Sequence, residues 1–153
     1  MAVVLGKVEF YGIVAAAEPA ATFTIQAMPI DLDHTIVPAR NRDASAKLLA
    51  ETLGVGSGPA SIGPFYEVYL NEGTTLDFIQ ADEDFPVYHF CFRVGPGEFA
   101  AILARLREKN IPFRSQVRGE TDNKVDPTYG NVYWNEPEGH MWEMLQVSYA
   151  RKK

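Results

Sequence analysis

The sequence has a single cysteine, Cys91, among its 153 residues, so no disulfide can form within the chain. It has no run of 18 or more apolar residues, the length that a transmembrane helix requires. Its 14 Lys and Arg residues are outnumbered by 20 Asp and Glu, and no basic stripe with interleaved aromatic residues is present. These absences argue against a disulfide scaffold, a membrane protein and a nucleic-acid-binding protein, and they favour a cytoplasmic protein.

The composition is typical of a folded domain, with 46% hydrophobic and 12% aromatic residues. Residues 1–27 stand apart from the rest of the chain. Within them, residues 3–14 have the composition of a strand, and residues 15–21 are rich in alanine and proline, as in a linker. Lys7 and Glu9 interrupt the apolar stretch, which argues against a signal peptide. We therefore expect an N-terminal extension over residues 1–27 and a single domain over residues 28–150.

One ten-residue pattern occurs twice. Residues 71–80, NEGTTLDFIQ, align with residues 137–146, PEGHMWEMLQ. In each copy a Glu-Gly turn leads into a mostly apolar strand that carries one carboxylate, Asp77 in the first copy and Glu143 in the second. Burying a carboxylate in such a strand is costly unless a partner or a metal compensates its charge. The repetition therefore indicates a duplicated module in which the carboxylate has a role.

The neighbouring patterns repeat in the same order. In the first copy, they predict strands over residues 30–39, 65–70 and 74–80 and a helix over residues 41–53. In the second copy, they predict strands over residues 87–94, 112–118, 130–134 and 140–148 and a helix over residues 96–109. The order β-α-β-β-β thus occurs twice, in modules 28–82 and 85–150. The second strand of the first copy is weak, because residues 56–64 form a loop rich in Gly, Pro and Ser.

Four side chains occupy two pairs of equivalent positions: His34 and His89 in the first strands, and Asp77 and Glu143 in the last. A pseudo-twofold axis between the modules would bring them together. Two nitrogen and two oxygen ligands suit a divalent transition metal such as Zn, Ni, Co, Mn or Fe. A lone histidine is often a hydrogen-bonded core residue, and Asp77 alone can support a histidine from outside the coordination sphere. The symmetry of the repeat favours the metal.

Three segments resemble the vicinal oxygen chelate superfamily: LDHTIV around His34, YHFCFRV around His89, and VYWNEPEGHMWEML before the C-terminus. That superfamily includes glyoxalase I, methylmalonyl-CoA epimerase, extradiol dioxygenases, and fosfomycin and bleomycin resistance proteins. The resemblance covers residues 28–149. It implies an α+β fold in which paired βαβββ modules form one curved eight-stranded mixed sheet, and it implies a homodimer.

The same resemblance places the metal ligands at His34, Asp77, His89 and Glu143. The sequence departs from the family at Asp77, where lyases and epimerases more often have Glu or Gln. Because the aspartate side chain is shorter, Asp77 is suited to binding the metal through water or to acting as a base without binding it. His140 lies an odd number of positions before Glu143, so the two side chains point to opposite faces of the strand, and we interpret His140 as a turn or rim residue. We interpret Cys91 as an inert buried thiol.

Three functions are consistent with these residues. The favoured one is a divalent-metal-dependent lyase or isomerase acting on a small substrate with adjacent oxygens, in which Glu143 or Asp77 moves a proton. The second is an extradiol-type dioxygenase, which needs only two histidines and one carboxylate. The third is a protein that binds a drug or metabolite without chemistry. The second carboxylate, Asp77, favours the lyase or isomerase, since a dioxygenase gains nothing from it.

Overall fold

Residues 30–150, the part of the chain that the computed structural model describes, form two βαβββ modules, each with one sheet and one helix. The first module consists of β1 (His34–Ala39), α1 (Arg42–Leu53), β2 (Ser57–Pro59), β3 (Phe65–Asn71) and β4 (Thr74–Gln80). The second consists of β5 (His89–Arg93), α2 (Pro96–Glu108), β6 (Phe113–Arg114), β7 (Val132–Asn135) and β8 (Met141–Leu145). The strand orders are β1-β4-β3-β2 in the first sheet and β5-β8-β7-β6 in the second. The paired-module fold predicted from the repeat is confirmed.

The eight strands are divided between two four-stranded sheets, whereas the sequence led us to expect one continuous sheet. Within the described residues, β1 and β5 are edge strands. Pro38 lies in β1 and has no backbone N–H to donate to a neighbouring strand. Its carbonyl instead lies 2.8 Å from Nε2 of the His140 side chain in the second module. Side-chain contacts of this kind replace a backbone ladder where the two sheets meet.

Two strands of the second module are shorter than predicted. The strand expected over residues 112–118 is reduced to β6, because Ser115 binds the Asp122 carboxylate through its backbone N–H and its hydroxyl at 3.0 and 2.6 Å. The strand expected over residues 140–148 is reduced to β8. Conversely, the stretch predicted mainly as loop over residues 56–64 contains β2.

The ends of the helices follow local sequence signals. The Asn41 side chain accepts a hydrogen bond of 3.2 Å from the backbone N–H of Ala44 and caps α1. Gly54 ends α1 in the left-handed conformation with φ of 77°, which suits a residue without Cβ. The cap of α2 is Lys109, and Asn110 follows it with a positive φ of 53°.

The helices and sheets share one hydrophobic core. Alternate residues of β1 and β4, among them Val37 and Phe78, are buried with Leu49 of α1. Residues of β7 and β8, among them Trp134 and Trp142, belong to the same cluster. Because side chains alternate along a strand, the residues between these face away from the helices. We call that side of each sheet its open face, and it carries the candidate site.

The predicted N-terminal extension, residues 1–27, and its boundary with the domain lie outside the described residues. Between residues 30 and 150, no helix is long and apolar enough to cross a membrane.

Candidate metal centre

The strand register places the four predicted ligands at equivalent positions in the two sheets. In the parallel pair β1–β4, His34 lies opposite Thr75, which is two positions before Asp77. In the parallel pair β5–β8, His89 lies opposite Met141, which is two positions before Glu143. A spacing of two keeps the histidine and the carboxylate on one face of the sheet. Each open face therefore carries one imidazole and one carboxylate in the same arrangement.

In the second sheet, these two residues are in contact. Nε2 of His89 lies 3.1 Å from Oε2 of Glu143. The His89 side chain is 39% exposed, whereas that of Glu143 is completely buried. The imidazole thus stands between the solvent and a buried carboxylate.

Further hydrogen bonds hold the Glu143 carboxylate. Nδ2 of Asn131 donates to Oε1 at 3.1 Å, and it also lies 2.7 Å from the hydroxyl of Tyr133. The Tyr149 hydroxyl lies 2.9 Å from Oε1 and 3.1 Å from Oε2 and donates to the carboxylate. Such bonds to an ionised acceptor compensate the cost of burying its charge. They also fix the direction in which the carboxylate oxygens point.

Both tyrosines that line this carboxylate have a raised pKa. Burial is the main cause for Tyr149 and for Tyr133, and the charge of Glu143 adds to it in each case. Both phenols therefore remain protonated at neutral pH, which is the state in which Tyr149 can donate its hydrogen bond to Glu143.

In the first sheet, the histidine and the carboxylate are held separately. Nδ1 of His34 lies 2.7 Å from Oδ1 of Asp33, and this hydrogen bond is the main reason that the pKa of His34 is raised; the charge of Asp77 also contributes. Asp77 itself is 8% exposed and accepts a hydrogen bond of 2.8 Å from the Thr75 hydroxyl. Glu67 of β3 lies opposite Asp77, on the same open face.

One groove runs past the two histidines. It has a volume of about 540 Å³ and is lined by His34, Thr35, Ile36, Tyr88, His89 and Phe90. Within residues 30–150, however, no group of three or more His, Cys, Asp and Glu side chains is spaced to hold a metal ion in a single chain. The structure therefore brings His89 and Glu143 together on the second sheet and holds His34 and Asp77 by other partners on the first, and the four-ligand site stays a prediction.

Comparison with solved structures finds relatives whose sequences, as well as their folds, are similar to this chain. Oxidase ChaP-H1 is 34% identical, with a TM-score of 0.73 over 80% of this chain and 100% of its own. Oxidase ChaP-H2 is 30% identical, with a TM-score of 0.74 over 80% of this chain and 98% of its own. This chain belongs to the vicinal oxygen chelate superfamily. A glyoxalase/dioxygenase from Nostoc punctiforme, 19% identical with a TM-score of 0.59 over 82% and 99% of the two chains, shares the fold.

Members of the vicinal oxygen chelate superfamily include lyases, dioxygenases and resistance proteins. They bind small molecules, generally use divalent metals and are typically dimers. The sequence matches none of the protein-family models and none of the curated proteins with which it was compared. The superfamily assignment therefore narrows the chemistry to several reactions without selecting one of them.

The donor chemistry on the open faces fits the divalent metal that this superfamily generally uses. Two imidazoles and two carboxylates are borderline and hard ligands of the kind that Zn, Mn, Co, Ni and Fe(II) accept. His89 would offer Nε2, which already faces Glu143, and Glu143 is oriented by Asn131 and Tyr149. This support from outside the ligand set is typical of metal sites in proteins.

His140 and Cys91 differ from their predicted environments. His140 is completely buried and is not a rim residue; its Nδ1 accepts the Tyr88 backbone N–H at 2.9 Å, and its Nε2 contacts the Pro38 carbonyl. With both nitrogens used, it joins the modules and is not a ligand. Cys91 is exposed as a residue, not buried as predicted. The pKa of its thiol is nevertheless raised to about 12, mainly because the thiol group is partly buried and also because Glu143 lies beside it. The predicted inertness of the thiol agrees with this pKa.

Sequence reasoning did not connect Asn131, Tyr133 or Tyr149 with the Glu143 carboxylate. Asn131 immediately precedes β7, Tyr133 lies within it, and Tyr149 follows β8. The antiparallel pairing of β7 with β8 places Tyr133 opposite Glu143. The alternation of side chains along these two strands was therefore enough to predict that Tyr133 lies on the same face as Glu143. Nothing in the local pattern signals Tyr149, because its contact depends on how the chain folds back after β8.

Proposed function

We propose that this chain is a divalent-metal enzyme that oxidises a small substrate with adjacent oxygens. The observation that carries the proposal is the contact of 3.1 Å between His89 and the buried Glu143 carboxylate beside an open groove. Together with His34, this pair supplies two imidazoles and one carboxylate, the donor set of non-haem Fe(II) oxygenases. The relatives that are 34% and 30% identical to this chain are named oxidases, which favours oxidation over the other reactions of the superfamily.

A metal held by His34, His89 and Glu143 would supply Lewis acidity and, as iron, redox chemistry with O₂. The protein's own contribution is to orient and enclose. Asn131 and Tyr149 keep the Glu143 oxygens directed at one place. Ile36 and the two histidines line the groove in which the substrate would lie.

We propose further that the working form is a homodimer in which the first sheet of one copy faces the second sheet of the other. Each chain carries its ligands as two separate pairs, and such pairing would unite them. The open face of the first sheet also exposes apolar side chains, with Ile36 at 47% and Tyr69 at 40% exposure, which a partner would cover.

A second candidate is the proton-transfer lyase or isomerase, and one residue favours it. Asp77 is almost buried on the same open face as His34 and is held by Thr75, although a site with two histidines and one carboxylate does not need it. A carboxylate within reach of a substrate carbon serves as a general base and contributes about 10²–10⁴-fold to the rate.

The experiment compares the two reactions in one preparation. The protein is loaded with Fe(II) and given catechols in an oxygen electrode; it is then loaded with Zn, Ni or Co, and deuterium exchange into 2-oxo and hydroxy-carbonyl compounds is followed. We expect oxygen uptake with Fe(II) that Glu143→Gln abolishes and Glu138→Gln retains. Exchange without oxygen uptake would replace the oxidase with the lyase or isomerase. Ligand binding without either reaction would make the chain a binding protein.

A further inference from the structure

A second pocket lies on the open face of the second sheet, beside Glu143. Tyr133 lines it, and because Tyr133 lies opposite Glu143 in the sheet, both side chains point to this face. Tyr129 and Tyr149 line it as well, so we call it the tyrosine pocket. Its volume is about 340 Å³, within the range of ~300–1,000 Å³ that small-molecule sites occupy. The tyrosine pocket is therefore large enough to take part of a small substrate.

The tyrosine pocket adjoins the proposed metal ligand Glu143. The Tyr149 hydroxyl lies 2.9 Å from Oε1 and 3.1 Å from Oε2 of that carboxylate. The same carboxylate is met by His89, which lines the groove and whose Nε2 lies 3.1 Å from Oε2. One residue of the pocket and one of the groove thus contact a single carboxylate. A substrate whose oxygens reach a metal at Glu143 and His89 can therefore extend from the groove into the pocket.

The lining of the tyrosine pocket presents aromatic and apolar side chains to solvent. Tyr129, Tyr149 and Val117 are 44%, 46% and 42% exposed. The rings of Tyr129 and Tyr149 have their centroids 5.5 Å apart and are inclined by 66°, the edge-to-face arrangement that aromatic pairs favour. Single exposed apolar residues are common on protein surfaces, but a group of them in a concave surface is typical of a ligand-binding site.

The loop between β6 and β7 holds this lining in place. It spans residues 115–131, whereas the corresponding loop of the first module spans residues 60–64. Oδ1 of Asp126 accepts the backbone N–H of Tyr129 at 2.9 Å. Oδ2 of Asp126 accepts a hydrogen bond of 3.3 Å from the side-chain amide of Gln116, on the other side of the loop. The longer loop therefore forms an ordered wall, which lowers the entropy cost of binding a ligand.

The charges of the lining favour an uncharged ligand. Asp126 lines the tyrosine pocket, and none of the described residues that line it is a lysine or an arginine. An anionic group there would have no partner of opposite charge and would be repelled by Asp126. A cation would gain little, because the Asp126 carboxylate already accepts hydrogen bonds from its own loop.

We propose that the tyrosine pocket binds an uncharged aromatic ring attached to the oxygen-bearing part of the substrate. This inference rests on the proposed function, because it takes the two adjacent oxygens of the substrate to lie at the metal. The ring packs against Tyr129, Tyr149 and Val117, and its burial adds affinity that a substrate with one ring lacks. The substrate class is therefore an aryl-substituted catechol, and the loop over residues 115–131 determines that specificity.

The test compares catechol with 4-phenylcatechol, which carries the additional ring, and with 4-(4-carboxyphenyl)catechol, which adds a negative charge to that ring. Each is titrated anaerobically into the full-length protein loaded with Zn, a metal without redox chemistry, and the dissociation constant is measured by calorimetry. We expect 4-phenylcatechol to bind about tenfold more tightly than catechol and the carboxylate to lose this gain. Equal affinities for catechol and 4-phenylcatechol would overturn the proposal.

Variants of the lining show where the additional ring binds. Tyr129→Ala removes one ring of the pocket and should weaken 4-phenylcatechol about five- to tenfold while the affinity for catechol stays within about twofold. Val117→Trp fills the pocket and should have the same effect, which keeps the test decisive if Tyr129→Ala disturbs the loop. The control Ile62→Ala shortens an exposed apolar side chain in the corresponding loop of the first module and should change neither affinity. An unchanged preference for 4-phenylcatechol in both pocket variants would place the ring elsewhere and reject the proposal.

Oxygen uptake by the Fe(II)-loaded protein is measured in parallel with catechol and 4-phenylcatechol. Oxygen uptake without a preference for the additional ring would retain the oxidase and reject the tyrosine pocket as its subsite. The preference without oxygen uptake would reject the oxidase and retain the pocket.

Discussion

His89 and Glu143 are 54 positions apart in the sequence, yet Nε2 of one and Oε2 of the other are separated by 3.1 Å. The parallel pairing of β5 with β8 brings them to one face of the second sheet. The imidazole faces the groove, and the carboxylate behind it is buried. In the second sheet, the histidine and the carboxylate of the proposed metal centre are thus already in contact. In the first sheet they are not, because His34 hydrogen-bonds to Asp33.

The hydroxyl of Tyr149 should matter for metal affinity, because it donates to the Glu143 carboxylate, whose two oxygens lie at 2.9 and 3.1 Å. Tyr149→Phe keeps the ring and removes this bond. We expect the metal to bind about 10–100-fold more weakly, as measured by competition with a chromophoric chelator. The matched control is Tyr129→Phe, which makes the same change on the ring that packs against Tyr149 at 5.5 Å. Equal losses in both variants would assign the effect to packing.

Mixed dimers test whether two copies complete one site. His34→Ala and His89→Ala should each be inactive alone. If the first sheet of one copy meets the second sheet of the other, a mixed dimer contains one site with both histidines and one with neither. Coexpression of differently tagged variants and purification of the mixed species should then restore about half of the activity per dimer. Continued inactivity of the mixed dimer would place each site within one chain.

The pKa of Glu136 predicts a loss of stability at higher pH. Its value is about 7 in the folded chain against 4.5 for an unperturbed glutamate, so the folded state holds the proton more tightly. Stability from this group is complete below pH ~4.5 and is lost as the pH rises through ~7, by roughly 3 kcal/mol. Urea unfolding between these pH values should show this fall in the unmodified protein and a smaller fall in Glu138→Gln, because burial is the main cause of the raised pKa of Glu136 and the charge of Glu138 adds to it. The fall should be absent in Glu136→Gln, and a parallel fall in that variant would contradict the assignment.

His140 joins the two modules through both ring nitrogens, and its ring stacks on those of Phe85 and Tyr88. His140→Phe retains an aromatic ring and leaves the Tyr88 N–H and the Pro38 carbonyl without their partner. We expect a loss of about 2–4 kcal/mol in the free energy of unfolding, because each buried unpaired group costs ~1–3 kcal/mol. Denaturation with urea measures it, and a change below ~0.5 kcal/mol would mean that water takes over both bonds.

The features that the sequence predicted depend on local or repeated signals. Strand alternation places Asp77 and Glu143 on the open faces, and comparison of the two copies pairs them with His34 and His89. The start of α1 was predictable because the cap at Asn41 is a contact between residues three apart. Signals of this kind are present in the order of residues along the chain.

The features that the sequence did not predict depend on contacts that no local or repeated pattern encodes. Tyr149 reaches Glu143 because the chain turns back after β8, and His140 is buried because it meets Pro38, 102 positions away. The division into two sheets was likewise not predictable, because it depends on side-chain contacts that take the place of backbone hydrogen bonds between β1 and β5. Glu136 belongs to the same turn as Glu138, and only the packing of α1 over that turn buries one and leaves the other more accessible.

The metal content of the purified protein tests the central claim most directly. The protein is expressed in medium containing Fe, Zn, Mn, Co and Ni and purified without added metal. The amount of each metal per chain is then measured by inductively coupled plasma mass spectrometry. We expect the unmodified protein and the Cys91→Ser control to retain a divalent metal in stoichiometric amount. We expect His89→Ala and Glu143→Gln to lose most of it while still folding, as judged by circular dichroism. Undiminished metal in Glu143→Gln would contradict the account.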